Sequence, residues 1–333
     1  MFAILDCGTT NTKCYVIDEC GVLLAEGYSP FGVKDNTLKQ DRENYKKTLR
    51  AVVDETCASV HIPGKRLKKV IAFGMISSDL GLLVVPHLSV PVGLEDLRHA
   101  VYEVKDHGIF DEDVQFLMIR GVRNTLNEER SLKNLEVCDF MRGEETQVMG
   151  ILQKFNPQKA FNVIMFGSHV KIIHVDAQGQ ICQSFTTMSG QIFECICQHT
   201  VVGKSVAVTP ESQLTLPQDQ IIDMAEQTTQ RHGLMRSLLL PRFMESFTYM
   251  TDKDRLTFLD AVIAIEDMKA IKDYYGQGKY STKTYYFIGQ KSRCQLFANV
   301  LTRKYPNAEI VILDGKEKNR DISIIGALQI ANI

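Results

Sequence analysis

FAILDCGTTNTKCYVIDECGVLLAEGYS (Phe2–Ser29) and FNVIMFGSHVKIIHVDAQGQICQSFTT (Phe161–Thr187) spell one pattern twice, half a chain apart. Each is an apolar strand, a small-residue loop, a lysine, a second strand, a glycine turn and a third strand. The loops are Gly8-Thr9-Thr10 and Gly167-Ser168-His169, the lysines Lys13 and Lys171, and the turns Gly21 and Gly179. A small-residue loop between strands presents backbone N–H groups to a phosphate at close range. A lysine just beyond it adds a compact point charge. Two such units imply a duplicated fold that grips one ligand from both sides, either as a phosphotransfer enzyme or as a nucleotide-shaped scaffold.

Asp6 ends the first apolar strand, directly before Cys7-Gly8-Thr9-Thr10-Asn11. A carboxylate there can hold a hydrated Mg²⁺ beside nucleotide phosphates. Thr9, Thr10 and Asn11 can donate to phosphate oxygens. A polar hairpin turn accounts for the same residues equally well. The echo at Gly167 moves the balance towards phosphate binding.

Outward from the hairpins, strands alternate with helices. Lys39–Val60 has helical spacing and stops at His61-Ile62-Pro63-Gly64. Val70–Met75 and Val114–Ile119 read as strands, Leu94–Val104 as a helix, and Arg123–Asn134 as a polar loop. A helix starts near Gly143–Glu145 and runs to Phe155. Beyond the second hairpin come helical stretches at Gly190–His199 and Gln218–Tyr275. A strand at Thr284–Gly289, a helix at Arg293–Lys304, a strand at Glu309–Asp314 and a closing helix from Asp321 complete the chain. The fold class is therefore α/β with mixed sheets. Asn156-Pro157 interrupts the pattern, dividing the chain into domains 1–157 and 158–333.

Bulk properties narrow the function. The 333 residues suffice for two ordinary domains. A net charge of −2 offers no broad electrostatic case for nucleic acid or an anionic membrane. No apolar run reaches the roughly 18 residues of a spanning helix. No basic segment precedes the first strand, so a secretory leader is not expected. Nine cysteines lie scattered without a C-x-x-C, which fits reduced thiols in the cytoplasm.

Met141-Arg142-Gly143-Glu144-Glu145-Thr146-Gln147 is the densest chemical segment. Arg142 offers a planar fork for a carboxylate or phosphate. Glu144 and Glu145, at a helix start, point about 100° apart, so they do not share one task. One could accept a proton from a substrate hydroxyl; solvated acids favoured by the helix dipole are the simpler account of composition alone.

MRGEETQ closely resembles the signature of the 2-dehydro-3-deoxygalactonokinase family. The opening DCGTTNTKCYVID resembles that family's D-W-G-T-T-N start. Gly74-Met75-Ile76-Ser77-Ser78, with Val85-Pro86-His87-Leu88-Ser89-Val90-Pro91, resembles a further segment. So do Phe166-Gly167-Ser168-His169-Val170-Lys171 and Met188-Ser189-Gly190-Gln191-Ile192-Phe193. The matches run in order from residue 1 to about 205, which is far more specific than one Gly-rich loop.

The resemblance implies an actin-like, sugar-kinase fold: two ribonuclease-H-like domains flanking a nucleotide cleft that closes on its substrates. It implies ATP- and Mg²⁺-dependent phosphorylation of the C6 hydroxyl of a 2-keto-3-deoxy sugar acid. Asp6 is the expected metal ligand. Gly8, Thr9, Thr10, Asn11, Lys13, Gly167, Ser168, His169 and Lys171 are expected at phosphates. Gly289, Gln290 and Gly326 are expected at adenosine, although Gly326 could equally be a packing glycine. Gly74, Met75 and Arg142 are expected at the sugar acid, and Glu144, with Glu145 close behind, as the base. The expected partners are the sugar acid and ATP, with a homodimer admitted and neither nucleic acid nor membrane.

The chain also departs from the family pattern. It has no Trp; Cys7, Leu82 and Ile172 stand where the family has one. Losing aromatic walls should reshape a sugar pocket. That motivates a nucleotide-binding regulator as the second reading and a partner-driven actin-like ATPase as the third.

Overall fold

A computed structural model describes residues 1–33, 42–60, 67–105, 107–125, 132–135, 137–275 and 282–333. The stop at His61–Gly64, the first residues of the Lys39–Val60 helix and much of the Arg123–Asn134 loop lie outside them.

The first hairpin unit forms β1 (Phe2–Cys7), β2 (Thr12–Ile17) and β3 (Leu23–Ser29). Apolar residues run along β1 and β2, so both faces are covered. The sheet has strand order β3-β2-β1-β4-β7-β6, with β4 at Lys69–Gly74, β6 at Tyr102–Glu103 and β7 at Gln115–Met118. β1 pairs antiparallel with β2 and parallel with β4, placing Cys7 opposite Gly74. Helix α1 (Arg42–Ser59) sends Tyr45, Leu49, Val52 and Val53 into the core beneath.

The second hairpin unit repeats this layout. β10 (Phe161–Phe166), β11 (Val170–Val175), β12 (Ile181–Thr187), β13 (Thr284–Gly289) and β14 (Glu309–Asp314) take the order β12-β11-β10-β13-β14. β13 runs parallel to β10, as β4 does to β1. The duplication visible in sequence is a duplication of strand order. A three-stranded sheet of β5 (Leu88–Ser89), β8 (Val122–Arg123) and β9 (Phe140–Met141) is additional.

The remaining helices are α2 (Leu94–His99), α3 (Glu144–Phe155), α4 (Ser189–His199), α5 (Gln218–Phe247), α6 (Asp252–Tyr275), α7 (Lys291–Lys304) and α8 (Gly315–Ile330). The expected helix over Leu94–Val104 stops early. Tyr102 and Glu103 instead pair with Met118 and Leu117 at the edge of β7, where their backbone groups are satisfied as a strand. Within α5 the chain breaks at Gly233, whose φ of 75° interrupts the helical path.

The chain forms two compact units. One comprises Met1–Ala160, Val175–Ser184 and Lys316–Ile333; the other comprises Phe161–His174 and Phe185–Gly315. The change at Ala160 lies close to the expected 157/158 boundary, but the chain returns to the first unit twice. Among the described residues no helix is long and apolar enough to cross a membrane.

Candidate functional site

In the first unit, three backbone elements meet at the carboxyl end of β1. The Gly8 N–H donates to the Asn11 carbonyl at 2.9 Å, closing the loop, and Thr9 and Thr10 are exposed. Asp6 and Lys13 face each other across the β1–β2 register, with Lys13 Nζ 3.5 Å from Asp6 Oδ2. Burial pushes the Asp6 carboxyl above its ordinary range and the Lys13 charge pulls it back.

Behind this loop the chain passes through Gly32, a position the sequence reading missed. A Cβ at Gly32 would lie 2.4 Å from the Thr9 carbonyl oxygen and 2.6 Å from the Asn11 nitrogen. Buried Thr12 ties the two layers together by donating to the Phe31 carbonyl at 3.0 Å.

Gly74 ends β4 with φ 87°, and a Cβ there would stand 2.6 Å from the Cys7 carbonyl oxygen. Gly143, φ 109°, precedes α3, and its Cβ would meet the Gly74 Cα at 3.4 Å. These glycines allow β1, β4 and the start of α3 to approach as backbone on backbone. The carboxyl ends of strands in an open α/β sheet are where such folds place ligands.

The adjacent carboxylates have diverged. The Gly143 N–H donates to both oxygens of Glu145 at 2.8 Å, and the Glu145 side chain is 0% exposed. Burial, reinforced by the Glu144 charge, pushes the Glu145 carboxyl up to about 8 against the pull of the Glu145 and Gly143 N–H groups and Arg142. Glu144 is half-buried and accepts the Arg142 N–H at 3.0 Å through Oε2.

Arg142, expected to meet the sugar acid or a phosphate, also makes internal hydrogen bonds. Its guanidinium donates to Ser77 Oγ at 2.7 Å and to the Val85 carbonyl at 2.9 Å. Its desolvation lowers its pKa, while Glu145 and Asp79 raise it. It holds the turn after Gly74, in which Met75 lies partly buried against the first core.

In the second unit Gly167, Ser168 and His169 are exposed between β10 and β11. The loop is closed by the Gly167 N–H donating to the His169 carbonyl at 3.1 Å. Lys171 is placed differently from expectation: it lies within β11 at 6% exposure, because β11 is covered along its whole length. Gly289, φ 154°, ends β13 beside this loop, and its Cβ would meet Phe166 Cβ at 2.8 Å. Gln290 follows at the N-cap of α7.

Of the two readings of Gly326, its surroundings support the packing one: it lies where two helices of the first unit approach closely. A Cβ there would lie 1.8 Å from the Thr146 carbonyl oxygen; Gly150 is packed reciprocally, 2.1 Å from the Ile322 oxygen. The exchanged aromatics fall inside too. Cys7 is fully buried in the first core, Ile172 is buried in the second, and Leu82 packs against the first. Their substitution repacks interiors, so the expected loss of pocket walls does not follow from them.

Two further residues escaped sequence reading. Gly190, in the first turn of α4, would place a Cβ 2.0 Å from the Gly167 carbonyl oxygen. Asp267, in the middle of α6, is buried and accepts Ser189 Oγ–H at 2.5 Å. Gly190 carries a local signal, a glycine directly after a helix-starting serine. Asp267 carries none, because its partner is 78 residues away.

Among the described residues no three His, Cys, Asp or Glu side chains gather as a ready-made metal centre. A single carboxylate beside a phosphate loop nevertheless fits Mg²⁺, which is commonly held by one or two carboxylates plus substrate phosphates. The donors around Gly8–Asn11 likewise fit a nucleotide phosphate.

Comparison with known proteins adds the family. A family model described as 2-keto-3-deoxy-galactonokinase matches residues 6–318. A Rhizobium meliloti (strain 1021) protein named as a 2-dehydro-3-deoxygalactonokinase is 25% identical over 206 residues, 62% of this chain and 59% of its own. An Escherichia coli (strain K12) 2-dehydro-3-deoxygalactonokinase is 24% identical, over 73% of this chain and 69% of its own. The chain thus spans about three fifths of the first relative.

A crystal structure assigned by name as a 2-dehydro-3-deoxygalactonokinase from Sinorhizobium meliloti matches all of both chains, with TM-score 0.75 and 20% identity. A xylulose kinase from Lactobacillus acidophilus matches 100% of this chain and 90% of its own, with TM-score 0.53 and 10% identity. The fold is that of the actin-like sugar kinases. With the family model matched from Asp6 to Lys318, the chain belongs to the 2-keto-3-deoxy-galactonokinase family.

Proposed function

We propose that the protein is an ATP-dependent kinase that phosphorylates the C6 hydroxyl of a 2-keto-3-deoxy sugar acid of the 2-dehydro-3-deoxygalactonate type. The observation that carries this reading is the junction at Gly74, which brings the first phosphate loop and the Gly143–Glu144 helix start to the same end of one sheet. A pure nucleotide switch has no need of a carboxylate at that place.

When bound, ATP supplies the phosphoryl group and Mg²⁺ offsets the charge that develops on it. Asp6 holds the metal. The N–H groups and hydroxyls of Gly8–Asn11, together with Lys13, bind and orient phosphate oxygens. The N–H groups of the Gly167–His169 loop bind phosphate as well. Gly289 and Gln290 support the adenosine. Glu144 takes the proton of the acceptor hydroxyl. It is chosen over Glu145 on geometry, since a base must reach its proton before its pKa matters, and Glu145 is sealed against its own helix turn. Arg142 acts on the sugar acid indirectly, by fixing the Gly74–His87 segment that would contact it.

The test is a panel of 2-keto-3-deoxy sugar acids incubated with ATP and Mg²⁺, with the phosphate located by NMR. A 6-phosphorylated acid is expected, and Glu144→Gln should lower kcat by about 10²–10⁴-fold. Near-wild-type turnover in both Glu144→Gln and Glu145→Gln would remove this segment as the base. ATP binding without turnover on any acid would leave a regulator; hydrolysis stimulated by a protein partner would leave a motor-like ATPase.

A further inference from the structure

The second phosphate loop has no carboxylate of its own, yet a buried one stands behind it. Three side chains form a relay across β12, α4 and α6. Ser189 Oγ–H donates to Asp267 Oδ1 at 2.5 Å, and Thr187 Oγ1 lies 2.9 Å from Ser189 Oγ. The Thr187 hydroxyl, like that of Ser189, also hydrogen-bonds the Asp267 carboxylate, so both hydroxyls converge on the one acid. Thr187 ends β12 and Ser189 begins α4; the relay therefore pins the junction between them.

That junction is in backbone contact with the loop. The Gln191 N–H donates to the Ser168 carbonyl at 2.7 Å, and Gly190 faces the Gly167 carbonyl with no room for a Cβ. In a trans peptide the C=O and the following N–H point in opposite directions. With the carbonyls of Gly167 and Ser168 turned towards α4, the N–H groups of Ser168 and His169 are turned away from it, on the exposed side of the loop.

We propose that Asp267 is a positioning residue for phosphate binding: through Ser189 it fixes the first turn of α4, which aims the Ser168 and His169 N–H groups at the ligand. The proposal rests on the reading of Gly167–His169 as an ATP phosphate loop. A small loop binds anions only if its N–H groups converge, and a loop of exposed Gly, Ser and His has no packing of its own to enforce that. Asp267 is held in turn. Its neighbour Asp260 forms an ion pair with Arg293, Nη1 to Oδ1 at 2.8 Å, and the Arg293 charge favours both carboxylates. Burial, joined by the Glu266 charge, pushes the Asp267 carboxyl up, and the Ser189 and Thr187 hydroxyls and the Arg293 charge oppose that push, so the Ser189 contact also helps to keep the acid charged.

Asp267→Ala, Asp267→Asn and Ser189→Ala test this, with Mg²⁺–ATP and the sugar acid varied separately. Asp267→Ala and Ser189→Ala should raise the KM for ATP about 5–50-fold while moving the KM for the sugar acid less than twofold. Asp267→Asn keeps an Oδ1 acceptor for Ser189 and should restore the ATP KM to within threefold of wild type. An unchanged ATP KM in both folded alanine variants overturns the proposal, as does an equal rise in both KM values. Amide hydrogen exchange of the segment 165–170 without nucleotide separates this failure from that of the reading beneath it. Faster exchange in Asp267→Ala supports the positioning role even if the wild-type chain binds no ATP, an outcome that would sink the phosphate-loop reading alone; unchanged exchange overturns the positioning role.

Discussion

The two small-residue loops share a strand order but distribute charge in opposite ways. In the first unit the ion pair Asp6–Lys13 flanks the loop and remains partly in solvent. In the second unit the matching lysine, Lys171, is buried within β11, and the exposed loop is left with backbone N–H groups, one hydroxyl and one imidazole. Each loop is backed by a glycine with no room for a side chain, Gly32 in one and Gly190 in the other. A buried carboxyl also braces a helix start in each unit: Glu145 accepts the Gly143 N–H ahead of α3, and Asp267, from the middle of α6, holds the first serine of α4. The two copies keep the same mechanical frame; the partly exposed lysine–carboxylate pair belongs to the first alone.

The largest expected effect tests whether Glu145 belongs to that frame. Its carboxyl titrates near 8 when folded, against an ordinary value of 4.5. Below pH 4.5 it is protonated in both states and costs nothing. Between 4.5 and 8 the unfolded chain releases the proton and the folded chain keeps it, so stability falls as pH rises and levels off above 8. Glu145→Gln should abolish this slope, gaining a few kcal/mol relative to wild type between pH 5 and pH 8. Urea unfolding of both proteins at several pH values measures it. Parallel pH profiles would show that Glu145 ionises freely, and that it remains a candidate base.

The glycine pair comes next. Gly190→Ala should favour helix α4 by about 1 kcal/mol in propensity, yet its Cβ would stand 2.0 Å from the Gly167 oxygen. A net loss of about 1–3 kcal/mol is expected from overpacking, together with weaker ATP binding. Gly32→Ala should behave alike through the Thr9 oxygen at 2.4 Å. Thermal unfolding and ATP titration check both. A stabilised Gly190→Ala with unchanged ATP affinity would break the claim that the two loops are braced in the same manner.

The parts that sequence discloses are those whose cause is local. Both hairpins, the Thr284–Gly289 strand and the α3 start were legible because strand alternation, small-residue loops and helix-start acids act over a few residues. The burial of Lys171 was not, because a lysine two residues after a loop reads as exposed until β11 is seen to be covered. The commitment of Arg142 to Ser77 and Val85 spans more than 50 residues of chain, and no spacing announces it. The choice between the two readings of Gly326 was closed to sequence for the same reason: its lack of space is created by Thr146, far away in sequence. Adjacent Glu144 and Glu145 were separable in principle by the 100° helical step, but which one faces inward depends on the backbone at Gly143.

The smallest expected effect discriminates most sharply between the loops. Lys13 is 43% exposed, and its pair with Asp6 at 3.5 Å is of the surface kind, worth about 0–1 kcal/mol. So weak a bond can be surrendered to a phosphate at little cost. Lys13→Met should therefore lower kcat/KM for ATP about 10–100-fold, equivalent to about 1.4–2.7 kcal/mol, and leave the unfolding midpoint almost unchanged. Lys171→Met should do the reverse. Its side chain is 6% exposed within β11, so kcat/KM should change less than threefold while stability shifts measurably. Equal losses of kcat/KM in the two variants would mean that both lysines reach the nucleotide, and the second loop would then be a charged phosphate site like the first. If only Lys13→Met loses activity, the second loop binds without its lysine, through backbone N–H groups, the Ser168 hydroxyl and His169, and the alignment of the Ser168 and His169 N–H groups becomes a property on which its affinity depends.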